Sequence, residues 1–194
     1  MRKMSRFSDA SSVMPPDFTT ERYQALLELA LTSYVSRSFH DYEAAEKCFI
    51  VRHDVDFSLN RAVALAEIEH ELGISASYLV DPHSMFYNLS EKSQVALLHR
   101  ILELGHSLGL HFDANFHEVS DESELDSLVG EEADWIDFLT GARPSVMSFH
   151  NPSALHLKWR ADSYSGLLNC YSSRVMDLFT YVSDSNGYWR FHQL

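Results

Sequence analysis

The chain has 194 residues, 45% of them hydrophobic and 22% charged, which is ordinary for one globular domain with a sizeable core. Its 15 basic and 28 acidic side chains give a formal net charge of −13, a surface that repels phosphate backbones and so argues against a nucleic-acid partner. No apolar run approaches the ~20 residues of a membrane span. The N-terminal stretch lacks the apolar segment of a secretory signal. Cys48 and Cys170, far apart and each beside apolar residues, read as free thiols in a reducing compartment, so a cytoplasmic location is expected.

Residues 1–17 read as a flexible leader ending in Pro15-Pro16, followed by a single domain over 18–194. Tyr23, Leu26, Leu27, Ala30 and Tyr34 recur at helical spacing and predict a helix over about 19–37. A strand is expected over 48–54, then a helix over 59–72 closed by Gly73. Next come a strand over 74–80, a loop over 81–89 and a helix over 90–104 stopped by Gly105. A third strand covers 106–112. A further helix, with Leu125, Leu128, Val129, Ile136 and Leu139 on its apolar side, ends at Gly141. The acid-rich run that opens it reads as a solvated face. Strands are expected at 145–149, 167–171 and 179–182, followed by a turn over 183–187. Strands alternating with helices imply a parallel sheet or barrel of the α/β class.

In such folds the C-terminal ends of the strands hold the site. Here those ends carry Asp54 and Asp56, Asp81, His111 and Asp113, His150 and Asp184. Strand side chains alternate, so Asp54 and Asp56 share one face while His53 and Val55 take the other. Two acids on one face are costly to bury unless a metal, a cation or a proton offsets them. The plainer role for Asp56 is to cap the helix that follows.

Taken in order between about residues 48 and 190, RHDVD, GISASY, LGHSLGLHFD, SFHNP and YVSDSNGYWR resemble the polysaccharide deacetylase superfamily (NodB homology, carbohydrate esterase family 4), in its surface-polysaccharide branch. The resemblance implies a distorted, incomplete (β/α) barrel. Ending at Leu194, the chain reads as C-terminally truncated, without the last strand of its relatives. An open barrel edge through which it self-associates is then expected. The implied activity is metal-dependent removal of acetyl from an N-acetylated sugar or glycan precursor, with a carbohydrate as the partner.

On the same resemblance, Asp54 corresponds to the general base, Asp56 to the metal-binding aspartate and His111 to the first metal-binding histidine. His106 corresponds to a histidine that does not ligate. Relatives carry a second metal histidine four residues after the first, where this chain has Asn115. The third ligand is therefore open between His150, the preferred substitute, Asn115 and His117. The histidine that acts as general acid in relatives has no counterpart, since His192 stands in the unrelated context WRFHQL. The alternative function is thus a catalytically inactive deacetylase-like domain that binds a glycan or a protein.

One carboxylate with two neutral ligands suits a single divalent ion, with zinc expected and cobalt or nickel able to use similar donors. Tyr87 and Asn88, in the loop after the second strand, and Asp184, in SDSNG, are the substrate-binding candidates. Each also has a plainer use, in loop anchoring or in an Asx turn. Asp113 either orients His111 or begins a turn.

Overall fold

A computed structural model of the chain describes residues 18–44 and 46–183. The leader 1–17 and the residues from Asp184 onward, with Tyr188, Trp189 and His192, lie outside the described residues. The Thr19 hydroxyl accepts from the Arg22 amide and starts α1 (Thr20–Leu31). The helix stops short of the expected residue 37: Thr32 is its C-cap, its amide donating to the Ala30 and Leu29 carbonyls and its hydroxyl to the Leu29 carbonyl at 2.7 Å. Residues Val35–Ser36 then form β1, which pairs in parallel with β2 (Cys48–Phe49).

The expected strand 48–54 changes partners midway. Phe49 bonds back to Arg37, whereas the Val51 carbonyl accepts from Ser77, so β3 (Arg52–Val55) belongs to the main sheet. Helices and strands then alternate: α2 (Leu59–Glu71), β4 (Ser77–Val80), α3 (Lys92–Glu103), β5 (Ser107–Phe112), α4 (Leu125–Thr140) and β6 (Val146–Phe149). Gly73, Gly105 and Gly141, at φ of 72°, 88° and 68°, occupy the left-handed positions that end the three helices.

An unexpected strand, β7 (Ser163–Tyr164), then forms a hairpin with β8 (Leu167–Asn169), which lies within the expected strand 167–171. The two-residue turn between them, Ser165-Gly166, has positive φ at both positions, as a tight hairpin requires. After α5 (Ser173–Met176), the expected strand 179–182 is irregular. Phe179 packs instead into an apolar cluster and edge-on against Tyr42, and Tyr181 reaches Arg52.

The main sheet runs β3-β4-β5-β6-β8-β7, parallel throughout except for the β7–β8 pair. It is a mixed α/β fold in which consecutive strands lie side by side from β3 to β6. Three strand spacings in a flat sheet amount to about 14 Å. Yet Ser148 on β6 donates to Asp54 on β3 at 3.2 Å. The sheet is therefore strongly curled, with Arg52, Asp54, Leu79, His111, Val146 and Ser148 inside the curve.

This curvature creates two cores. One lies between the sheet's convex face and the helices, with Tyr78, Val80, Leu108, Leu110, Met147 and Phe149 meeting Ala62, Ala66, Leu98, Ile101, Val129 and Ile136. The other fills the concave side with Leu79, Val146, Leu168, Cys170, Val175 and Phe39. Both cysteines are free, and burial pushes the Cys170 thiol up to about 11.

Gly109 lies between Leu79 and Val146 in the register of the concave face. A Cβ there would stand 2.5 Å from the Leu79 side chain and 2.9 Å from that of Val146. Gly109→Ala is expected to cost about 1–3 kcal/mol through overpacking, measured by denaturant unfolding. An unchanged midpoint would show that the concave face has room to spare.

On the convex side β3 turns His53 onto Glu69 of α2, with Nε2 at 2.5 Å from Oε1. Glu69 is fully buried and also accepts from the hydroxyls of Tyr23 and, at 2.6 Å, Tyr78. Burial alone would raise its pKa, but His53 and the two hydroxyls hold the carboxyl below the usual carboxylate value. A lowered carboxylate pKa contributes stability above the unfolded value near ~4.3, and that stability is lost as pH falls through the folded value. Glu69→Gln is expected to cost about 3 kcal/mol at neutral pH, with the difference from wild type shrinking below pH ~4. Denaturant titrations at the two pH values check this, and equal losses at both would remove the charge from the account.

Candidate metal centre

The concave face ends, at the C-terminal edge of the strands, in a group of polar side chains. Asp56 leaves β3 with its backbone held from the neighbouring loop: the Ser84 hydroxyl donates to its carbonyl at 3.0 Å. The Tyr87 hydroxyl donates to the Val55 carbonyl at 2.6 Å and accepts from the Asp81 amide at 2.9 Å. His111 comes from β5 and His150 follows β6 directly.

Three donor atoms converge there. Asp56 Oδ1 lies 3.2 Å from His111 Nε2 and 3.1 Å from His150 Nδ1, and all three lie within 4.8 Å of one another. The imidazole rings stand nearly perpendicular, their centroids 4.9 Å apart. His111 is buried, whereas Asp56 and His150 are partly open to solvent.

Hydrogen bonding settles the His111 tautomer. Ser148 Oγ donates to Asp54 Oδ1 at 3.2 Å, so its oxygen accepts from His111 Nδ1 at 2.7 Å. Nδ1 therefore carries a proton, and in the neutral ring Nε2 is left with a lone pair facing Asp56. A lone pair facing a carboxylate oxygen is unfavourable unless a cation or proton lies between them.

Asn151, at φ 42°, folds its side-chain amide back to His150 Nε2 at 2.8 Å. The contacting atom is Nδ2, which donates to Nε2; a ligand role for Nδ1 puts the ring proton on Nε2 and requires the amide turned over so that its oxygen accepts that proton. One carboxylate and two imidazoles that can each offer a lone pair fit a divalent ion of the zinc class.

Asp54 lies beside these donors, with Oδ1 3.7 Å from His111 Nδ1 and Oδ2 accepting from Arg52 Nη2 at 3.0 Å. Burial would raise its pKa, but the Arg52 charge, His111 and the Ser148 hydroxyl together hold it below the ordinary value. Arg52 is fixed in turn over the rings of Tyr171 and Tyr181, at 5.6 and 5.7 Å.

The structure thus brings Asp54, Asp56, His111 and His150 together. His117 is elsewhere, against Glu132, and Asn115 is exposed in the turn after β5. Asp113 begins that turn, accepting from the amides of Asn115 and Phe116. Of the substrate-binding candidates, Tyr87 spends its hydroxyl on backbone groups and Asn88 accepts from the Ser90 amide, while Asp184 is outside the described residues. His106 is structural: Nδ1 accepts from the Ala76 amide at 3.1 Å and Nε2 donates to the Ala66 carbonyl at 2.9 Å.

The sequence reading missed Arg52, Ser148 and Asn151. Ser148 was within reach, since it shares the strand face of His150 two residues on.

No protein-family profile matches the chain, and no curated protein matches it. Among solved structures it is similar to the chitin deacetylase from the fungal pathogen Colletotrichum lindemuthianum. The TM-score is 0.40 and the sequence identity 17%, over 52% of this chain and 44% of that one. The chain thus spans less than half the length of that protein. Among the described residues no helix is long and apolar enough to cross a membrane.

Ser148→Ala should leave the fold intact but free the His111 ring to change tautomer, lowering zinc affinity about 10–100-fold. Calorimetric titration with zinc measures this, and unchanged affinity would show that Ser148 does not orient the ring.

Proposed function

We propose that this protein is a metal-dependent hydrolase that removes acetyl from an N-acetylated sugar or glycan precursor. The observation that carries the reading is the convergence of Asp56, His111 and His150 beside a carboxylate, Asp54, that is held ionised by Arg52 and Ser148. The resemblance of RHDVD, LGHSLGLHFD and SFHNP to the deacetylase motifs supports the acetamido substrate. An exposed aromatic pair beside Asp56 in the chain supports the sugar ring. Phe57 follows Asp56 directly and packs against Phe86 with centroids 4.7 Å apart, offering ring faces on which a pyranose can stack.

Asp56, His111 and His150 are the residues that would hold the ion. When bound, a divalent ion polarises an amide carbonyl and lowers the pKa of water. Asp54 accepts the proton of the water that attacks the carbonyl carbon. The C–N bond then breaks, and the proton held on Asp54 is available to the departing amine nitrogen, giving acetate and the free amino sugar. Arg52 keeps Asp54 charged before the attack. Ser148 holds both Asp54 and His111 in place, so the base and one ligand keep a fixed separation.

Two substitutions separate the roles. Asp56→Ala should abolish zinc binding at this site and, with it, acetate release from N-acetylated oligosaccharides. Asp54→Asn should keep the metal and lose turnover by roughly 10²–10⁴-fold, the usual contribution of a general base. Turnover unchanged by Asp54→Asn would take Asp54 out of the base role. Zinc bound by the wild type with no acetate released from any acetylated substrate would favour the glycan-binding alternative.

A further inference from the structure

A second cluster of donor atoms lies on the same edge of the sheet and plays no part in the chemistry above. His83, in the loop after β4, places Nε2 2.6 Å from Glu132 Oε1, and His117, after β5, places Nε2 2.5 Å from the same oxygen. Glu132 comes from the buried face of α4, beside Val129, Ala133 and Ile136, and is only 6% exposed. The expectation of a wholly solvated acidic face on this helix therefore fails at Glu132.

We propose that His83, His117 and Glu132 form a second divalent-metal site of the zinc class. The donor set, two imidazole nitrogens and one carboxylate, is that of zinc sites which keep an open position. The Glu132 carboxylate is lopsided: both imidazoles crowd Oε1, while Oε2 is buried without a hydrogen-bond partner among the described residues. A cation seated between the two imidazoles and held by both carboxylate oxygens would also satisfy the oxygen that the histidines leave bare.

The rings are held for the task. Phe116 stacks on His83 with centroids 3.5 Å apart at 13°, and Phe112 lies parallel to His117 at 5.2 Å and 7°. Donor atoms around a tetrahedral zinc stand about 3.3 Å apart, given bonds of ~2.0–2.1 Å. The imidazoles would therefore move outward by less than ~1 Å. The pocket beside them, lined by Pro82, Glu131 and Trp135, is open to that shift.

The test uses the whole chain carrying Asp56→Ala, which removes the first site, stripped of metal and titrated with zinc alone by calorimetry. One zinc per chain is expected. Adding Glu132→Gln, which keeps shape and removes charge, should weaken binding at least tenfold, as should His83→Ala at its more exposed position. Circular dichroism verifies that each variant is folded, and His83→Ala carries the test should Glu132→Gln unfold. No zinc bound by the Asp56→Ala chain, or affinity unmoved by these additions, would overturn the proposal. The converse background, Glu132→Gln with Asp56 intact, reports on the first site alone, so the two assignments fail separately.

Discussion

The curl of the main sheet is the constraint on which the rest depends. Asp54 and Ser148 belong to strands three places apart, and only a sharply bent sheet lets them share a hydrogen bond. The bend is packed from inside by Leu79 and Val146, which close over Gly109 because that position has no side chain to hold them apart. Apolar filling lower in the cup and polar convergence at its rim are thus two results of one geometry. The same curvature that excludes water from Leu168 and Cys170 brings two acids and two histidines within reach of one another.

Strand β3 serves both sides of this arrangement. Its alternation sends Arg52 and Asp54 into the cup and His53 outward to Glu69. Arg52 and Asp54 thus pair on one face of the strand, and Glu69 takes the His53 ring on the other. Buried ionic groups are tolerable only when paired and hydrogen-bonded, and both faces meet that condition through several contacts. The strand is consequently held laterally by Glu69 and the tyrosines on one side, and by Ser148 and the tyrosine-flanked guanidinium on the other.

Much of this was legible in the sequence, for local reasons. Period-two alternation in RHDVD separated Asp54 and Asp56 from His53, and glycines marked the ends of α2, α3 and α4. What escaped depends on partners distant in sequence. The switch from β2 to β3 is invisible in an unbroken extended run, because it is set by Arg37 on one side and Ser77 on the other. Residues 179–182 have strand-like composition but no ladder to join, since Phe179 and Tyr181 are drawn to Tyr42 and Arg52. Glu132 was concealed by its acidic neighbours, although its spacing from Val129 and Ile136 puts it on the buried helix face. The Ser165-Gly166 turn, by contrast, carried an ordinary hairpin signal that was passed over.

The Asp54–Ser148 bond spans 94 residues, whereas β3, β4 and β5 each pair with their immediate successor. Neighbouring β-α-β units can assemble early from nearby contacts, and the ends of the cup meet only once four strands are in place. Asp56 and His150 are likewise far apart along the chain, so an ion that needs both would ignore every partly built intermediate. Its binding free energy would fall wholly on the finished fold. Cellular metal supply would then act as a selective stabiliser of completed molecules, making the abundance of the protein, as well as its chemistry, depend on the ion.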